Sequence, residues 1–570
     1  MAEEVWMLQT KKADFKQIGA RFRIDPVTAR IIRNRGIEGE AAIDRYLNGT
    51  LDDLYDPMLL KDMERAVSIL CEAVDTGKKI RIVGDYDIDG VCSTYILLQA
   101  FERLGSDVDF EIPDRIKDGY GINESIIEQA HADGVEVILT CDNGISAFHQ
   151  VELAKKYGMT VVITDHHEVP LDGEKEKIPP ADAVIDPKQA DCPYPFPEIC
   201  GAVVAYKLVQ VLYVRRGVPQ MEWLDLLEFA AIATVGDVMK LQDENRILVK
   251  YGLKKMAQTK NLGLRRLAEK NNLDLGAITA YHIGFVIGPC LNAGGRLKTA
   301  KEALALLRSQ SEEEAERLAE ELKELNDTRK DMTEQGTEAA KLQVESWYQK
   351  DKVLVVFLPE CHESLAGIIA GRLREYYQKP AIVLTRGEEA VKGSGRSIDE
   401  YHMFKKLTEV SDLLLKFGGH PLAAGLSLEE KNIDEFRRRL NENAGLTEED
   451  FKAKVWIDVP MPVGYVTERL VRELSCLEPF GQGNEKPLFA EKSLRIRASR
   501  VLGRNRNVVK MTLEETDGHA IEALYFGDGT AFEEERAGRR EIDVVYYPDI
   551  NEYNGRKTLQ AVIRRYKFRG

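Results

Sequence analysis

Three apolar runs in the first half of the chain each end in side chains that bind metal ions. An open parallel sheet is a fold that brings such ends together. Residues 80–83 lead into Asp85, Asp87 and Asp89, followed by Gly90. Residues 135–140 lead into Asp142, Asn143 and Gly144, and residues 159–164 into Asp165, His166 and His167. In an open parallel sheet, ligands bind outside the carboxyl ends of the strands, so the three clusters would converge. Carboxylates held close repel one another unless a cation sits among them. Hard divalent ions take oxygen ligands; imidazole among carboxylates suits Mn²⁺ or Zn²⁺, and a carboxylate-rich site suits Mg²⁺ or Mn²⁺. Each cluster alone also reads as a polar turn after a strand. An EF-hand loop begins with the same Asp spacing, but its twelfth position counted from Asp85 is Ile96, not Glu.

Between about residues 75 and 240 strand and helix patterns alternate, with a helix over 91–103, a strand over 107–112, and strands opening at Val135, Val161 and Ala183. This predicts a doubly wound parallel sheet. Asp186 and Asp237 also follow apolar segments, and either could complete a metal shell. In the loop 113–121, Arg115 could grip a phosphate with its planar fork, and Gly119 and Gly121 allow close backbone approach; a plain surface loop fits equally well.

Residues 1–70 read as mostly helical, a packing cap on the next domain. Asp25-Pro26 and Asp56-Pro57 each start a helix, the second running through Ala66 and Leu70. Residues 240–350 read as helical. Within them Gly288 to Arg296 reads as a Gly-rich loop for phosphate or as a simple turn. From Thr299 to about Gln349, dense mixed charge with Leu318, Leu322 and Leu325 at helical spacing predicts a long solvent-exposed connecting helix.

Alternation restarts near residue 350. This smaller unit carries Gly393-Ser394-Gly395-Arg396 and Gly418-Gly419-His420 with Ala423-Ala424-Gly425, a poor core pattern and a good ligand wall. From about 455, five short alternating strands predict a small β-barrel such as an OB-fold. Arg495, Arg497, Arg504, Arg506 and Lys510 fall on its first hairpin, with Tyr525, Phe526, Tyr546, Tyr547 and Tyr553 elsewhere. A basic groove with aromatics suits single-stranded nucleic acid. Acids balance the bases over this segment, however, and barrels also use aromatics in their cores.

A length of 570 residues allows three or so domains. The net charge of −16 argues against a protein basic all over but leaves room for a local basic groove. Eight cysteines without a CxxC pair predict free thiols in a reducing compartment. The N-terminus lacks a signal-peptide pattern, and no apolar run is long enough to span a membrane, so a cytoplasmic location without membrane contact is expected.

Taken together, Gly84-Asp85-Tyr86-Asp87-Ile88-Asp89-Gly90, Cys141-Asp142-Asn143-Gly144, Asp165-His166-His167 and Gly236-Asp237-Val238 resemble the four ordered motifs of the DHH phosphoesterases. Gly418-Gly419-His420 with Ala423-Ala424-Gly425 resembles the signature of the DHH-associated domain. Asp114-Arg115, Gly119-Tyr120-Gly121, Leu291-Asn292-Ala293-Gly294-Gly295-Arg296 and the C-terminal barrel narrow the resemblance to the RecJ family of single-strand-specific DNA exonucleases. It covers the chain from about residue 50 to the end.

The resemblance implies an α/β architecture in five parts. These are an N-terminal helical cap (1–70), a doubly wound parallel-sheet DHH catalytic domain (71–298), a long connecting helix (299–350), a smaller α/β DHH-associated domain (351–454) and a C-terminal OB-fold β-barrel (455–570). It also implies processive 5′→3′ hydrolysis of single-stranded DNA to 5′-mononucleotides in repair and recombination, with two Mn²⁺ or Mg²⁺ ions clamping the phosphodiester and activating water. Duplex would be excluded by a narrow cleft between the two α/β domains, and the barrel would capture the strand. By the same resemblance Asp87, Asp89, Asp142, His166 and Asp237 are metal ligands, with Asp85 in or beside the shell. Asp165 and His167 take catalytic positions, His167 near the scissile phosphate or a metal. Arg115, Asn292, Arg296, Arg396 and His420 hold the DNA, joined by Arg495 and Arg497 of the barrel hairpin. A monomer is expected, with a helicase and a single-strand-binding protein as candidate helpers.

Two departures stand out. Many relatives have Asn at Asp186, which weakens it as a ligand, and Pro is more usual than Lys240 after Asp237-Val238-Met239. Two other readings compete: a phosphoesterase of short oligonucleotides or small phosphate compounds, and a scaffold relative that has lost catalysis.

Overall fold

The structure is a computed structural model that describes residues 4–115, 119, 121–553 and 555–569. Tyr120, the side chain of Tyr553, and the first residues of the N-terminus lie outside the described residues. Two compact units emerge, one from residues 54–239 and 247–453, the other from 4–53, 240–246 and 454–570.

The first unit contains a five-stranded parallel sheet in the order Val108–Glu111, Ile80–Val83, Val137–Cys141, Thr160–Thr164, Ala183–Ile185. The central strands are buried on both faces, which is why they read as unbroken apolar runs rather than alternating ones. The chain enters at Ile80–Val83, steps to the edge, then crosses back to Val137–Cys141. This reversal opens a crevice beyond the ends of those two strands, the usual ligand position in such sheets.

The helix after the first strand spans Ile88–Arg103, three residues earlier than the sequence suggests, because Asp87 is its cap and accepts hydrogen bonds from the N–H groups of Asp89 and Gly90. Gly90 admits no side chain: a Cβ there would lie 2.3 Å from the Asp85 carbonyl oxygen. The helix expected from Asp56-Pro57 is broken. A short turn covers Pro57–Leu59, Asp62 adopts a left-handed conformation, and the helix proper is Met63–Asp75.

Residues 288–297 are helix, not a loop. Their glycines serve close packing: a Cβ at Gly295 would lie 2.3 Å from the Tyr86 carbonyl, and one at Gly294 would lie 2.7 Å from that of Thr299. The helix N–H groups are therefore spent within the helix and make no phosphate cradle. The connecting segment is two helices, Lys301–Arg308 and the 32-residue Glu312–Gln343. The long one is exposed on one face only; Ala315, Leu318, Ala319 and Leu322 are buried against the helices Leu262–Lys270 and Gly288–Leu297.

That helix leads to a second five-stranded sheet, ordered Leu414–Gly419, Ala423–Leu428, Val391–Arg396, Ala381–Arg386, Leu354–Phe357. Only its last pair is parallel.

In the second unit, Phe489–Leu502, Val508–Glu514, Ala520–Phe526, Arg556–Phe568 and Glu541–Tyr553 pair in that order, and the last returns to the first, closing a barrel. Residues 4–53 group with the barrel. Ile31, Ile32, Ile43 and Tyr46 enter the same core as Phe489, Val509 and Ile542 of the barrel. Arg246 fixes this arrangement: its buried guanidinium donates to the carbonyls of Tyr46, Leu477 and Cys476.

Candidate metal centre and phosphate cleft

The strand ends and two helix ends of the first unit deliver six metal-capable side chains to one place. His166 Nε2 lies 3.1 Å from Asp142 Oδ1, 3.5 Å from Asp89 Oδ2 and 3.8 Å from Asp237 Oδ2. Donor atoms of Asp85, Asp87 and Asp142 lie within 4.8 Å of one another, as do those of Asp89, His166 and Asp237. Asp142, His166 and His167 form a third such group, so Asp142 of one carboxylate cluster is linked to His166 of the other. This is a two-centre arrangement joined through Asp142 and His166.

Local structure holds the six in place. Asp89 accepts hydrogen bonds from the N–H groups of Gly201 and Ala202 at a helix N-terminus, both 2.7 Å. A Cβ at Gly201 would lie 2.7 Å from that of Asp142. Asp142 itself has φ +61°, a left-handed conformation rare for a residue with a side chain. The neighbouring Asn143 locks it: its buried amide donates to the carbonyls of Val83 and Cys141 and accepts from Ile122 N–H. Asn143 stands in the motif as a bystander; only the three-dimensional turn shows its task.

The electrostatics call for cations. Burial, and then neighbouring carboxylates, push Asp85 and Asp142 well above the usual carboxylate range and raise Asp87. The same causes bring Asp237 to about 8. Burial pulls His166 down, leaving a neutral imidazole with a lone pair to offer. Five carboxylates and one imidazole fit hard divalent ions of the Mn²⁺ and Mg²⁺ class. Among the described residues, Asp186 joins none of the three groups. Its Oδ1 accepts the Lys188 N–H, and burial followed by the Asp165 charge raises it to about 7. Asp237 is the one brought to the cluster.

Asp165 does not join the metal-capable groups either; it holds His167. Its Oδ1 lies 2.7 Å from His167 Nδ1, while its oxygens also accept the N–H groups of His166 and Ile145. Burial alone would lower His167, but the Asp165 bond and charge, with Asp237 and Asp89, outweigh it and hold it at about 9. A half-exposed imidazolium therefore stands beside the carboxylates.

A cation-rich cleft of about 520 Å³ opens in the same unit, lined by Tyr86, Arg115, Arg296, Lys392, Ser394 and Arg396 among others. The Arg115 guanidinium sits 4.9 Å from the Tyr86 ring centre. Burial, then Arg115 and Arg329, lowers Arg296 to about 10; burial, then Arg115 and Arg374, lowers Arg396. Cations crowded in this way await an anion, as the carboxylates await a cation. Gly367 keeps the space open, since a Cβ there would lie 2.8 Å from Ser394 Oγ and 2.9 Å from Arg396 Nη2. A smaller cavity of about 110 Å³ adjoins Asn292, Arg296 and Arg329. Sequence reading missed Arg329, hidden among the charges of the long helix; its signal was a basic residue three positions after the buried Asn326.

One expected DNA contact of this unit, His420, does not line the cleft. His420 is exposed on the hairpin turn and lines neither cavity, although Gly425 of the same hairpin lines the larger one. Arg495 and Arg497 are exposed on the barrel, and Arg497 is already held by both oxygens of Glu514. Lys510 pairs with Glu522 at 3.0 Å. Arg497 and Lys510 of the basic hairpin are thus neutralised from within. Of the aromatics, Tyr546 is a core residue bonded to the Met461 carbonyl, and Tyr525 packs on Phe532 and Tyr566. Tyr547, half-buried, meets Lys486 at 3.6 Å and Arg564 at 4.9 Å from its ring centre.

Comparison with known proteins agrees with this geometry. The DHH family N-terminal domain matches residues 79–234, the DHHA1 domain 350–445 and the RecJ OB domain 457–565. The single-stranded-DNA-specific exonuclease RecJ of Bacillus subtilis is 36% identical over 98% of this chain and 70% of its own length. That of Escherichia coli is 34% identical over 95% of each chain. A crystal structure of RecJ in complex with Mn²⁺ from Thermus thermophilus superposes with a TM-score of 0.84 at 28% identity, covering 99% of this chain and 79% of that one. With three domain matches in order and two relatives above 30% identity across most of their length, the chain belongs to the RecJ family of single-stranded-DNA-specific exonucleases.

Proposed function

We propose that this chain degrades single-stranded DNA from the 5′ end to 5′-mononucleotides in repair and recombination. The observation that carries the reading is Tyr86. It stands between Asp85 and Asp87 of the metal cluster and lines the arginine cleft, so one turn joins the two halves of the site. Asp85, Asp87, Asp89, Asp142, His166 and Asp237 would hold two divalent ions. Such ions, when bound, lower the pKa of water and neutralise charge on a phosphodiester.

The chain's own residues supply the rest. Arg115, Arg296 and Arg396, with Asn292 beside Arg296, bind the phosphate groups of the strand and fix its register. His167, held protonated by Asp165, donates to a phosphoryl oxygen as negative charge builds there. The barrel of the second unit binds the strand, Tyr547 with its two cations offering a stacking surface. Arg495 adds a phosphate contact, and His420 contributes only if the strand reaches its turn.

In keeping with the family, we read the chain as a cytoplasmic monomer that works beside a helicase and a single-strand-binding protein. No described helix is long and apolar enough to cross a membrane. Light scattering on the purified chain tests the monomer.

Single-stranded DNA labelled separately at each end, with Mn²⁺ or with chelator, tests the reaction. Immediate release of labelled mononucleotide from the 5′ end, absent with chelator and on blunt duplex, is expected. Binding without cleavage would leave only the scaffold reading.

A further inference from the structure

The first unit contains a second large cavity, about 550 Å³, lined in part by Tyr95, Tyr213, Glu228, Lys255, Thr259 and Asn261. That volume falls in the range of small-molecule sites. It is built on the same two helices that carry metal ligands, at their other ends. Asp89 lies near the start of Ile88–Arg103, and Gln99 of that helix lines the cavity, about 15 Å further along. Asp237 follows the end of Leu227–Gly236, and Glu228 lies near that helix's start.

Glu228 marks this cavity as a site. The residue is only 5% exposed. One oxygen accepts the Thr259 hydroxyl at 2.7 Å, and the other, Oε2, has no hydrogen-bond partner. A buried carboxylate oxygen left in this way is costly and is ordinarily satisfied by a donor. Burial raises the group to about 7, as such isolation requires. The walls beside it are aromatic, with Tyr95 and Phe229 rings 4.3 Å apart. At the rim, Lys255 and Lys260 share the single carboxylate of Asp225, at 2.5 and 3.1 Å, while Arg103 pairs with Glu222. Two ammonium groups on one carboxylate leave one positive charge in excess at the rim, and Lys255 also acts on Glu228 deeper in.

We propose that this cavity binds a guanine nucleotide, with the N–H edge of the base on Glu228 and the phosphate at Lys255 and Lys260. A flat base suits the apolar walls, guanine offers two adjacent N–H donors to the carboxylate, and a phosphate meets the surplus charge of the rim. The assignment stands independently of the hydrolytic reading, since it uses none of the metal-cluster or arginine-cleft residues. If both hold, a product of the reaction would reach the metal-bearing helices from behind.

The test is calorimetric titration of dGMP into the full chain with chelator present, carrying R396A to weaken the arginine cleft. Saturable binding is expected. E228Q, which keeps the shape but replaces one acceptor oxygen with a donor, should weaken it about tenfold or more. Deoxyguanosine should bind more weakly than dGMP, and K255A/K260A should erase that difference; this rim pair also carries the test if E228Q does not fold. Hydrogen exchange should slow at residues 225–229 and 255–262. No binding, binding indifferent to both E228Q and K255A/K260A, protection elsewhere, or equal affinity for dAMP would overturn the proposal.

Discussion

Asp165 Oδ1 lies 2.7 Å from His167 Nδ1, and the same carboxylate is pinned by the N–H groups of His166 and Ile145. Asp165 therefore serves His167 rather than a metal. D165N should keep the fold and Mn²⁺ binding while lowering kcat by about 10²–10³, the usual cost of one charged donor in a phosphoryl or acyl site. H167A should do the same, and the double variant should fall little further, because the pair acts as a unit. A D165N enzyme that loses Mn²⁺ in a titration would make Asp165 a ligand instead.

Asp142 belongs with Asp85 and Asp87 to one group, lies 3.1 Å from His166 of the other, and is pushed well above the usual range by burial and then by Asp89, Asp87 and Asp85. Removing its charge should have opposite effects with and without metal. In chelator near neutral pH, D142N should melt a few degrees above the unsubstituted chain, since one source of buried repulsion is gone. With Mn²⁺ the order should reverse, because ligand binding stabilises only the chain that binds. Thermal melts in both buffers check the crossing; parallel shifts would mean that Asp142 does not hold the metal.

How much of this was legible in the sequence follows from the range of each interaction. The sheet was legible because strands buried on both faces must be apolar throughout, and each ended in carboxylates or imidazoles. The helix start at Ile88 was not, because Asp87 serves as cap and metal-capable group at once. Gly288–Leu297 misled because glycine signals a loop locally, whereas here it answers a backbone approach from Tyr86, distant in sequence. Residues 4–53 could not be assigned to the barrel core from local pattern, since an amphipathic helix does not name the surface it covers. Arg497 looked like a DNA contact until the pairing of its strand with Val508–Glu514 brought Glu514 against it.

Arg396 is crowded by Arg115 and Arg374 and lines the cleft. R396A should weaken single-stranded DNA binding, measured with chelator, and reduce the slope of log K against log salt by about 0.7, one phosphate's worth of counterion release. R497A should leave that slope nearly unchanged, because its charge is already spent on Glu514. G367A should resemble R396A, since its Cβ would displace the guanidinium.

Glu491 of the barrel unit supplies a pH test away from the metal site. Its Oε2 accepts the Val463 N–H at 2.6 Å. Burial raises its carboxyl, the Val463 bond opposes this, Glu515 and Asp517 add to it, and the outcome is about 7 against an ordinary 4.5. The folded chain thus holds a proton that the unfolded chain releases between about pH 4.5 and 7. Stability linked to this group is complete below about 4.5 and is lost as pH rises through 7. The shift alone would correspond to about 3 kcal/mol, and solvent screening of a half-buried group reduces this to roughly 1 kcal/mol. E491Q cannot titrate, so its stability relative to the unsubstituted chain should rise by that amount between pH 4.5 and pH 8. Urea unfolding of both chains at the two pH values, followed by a probe in the barrel unit, measures the difference. A gap that stays constant, or closes as pH rises, would place the Glu491 carboxyl in its ordinary range.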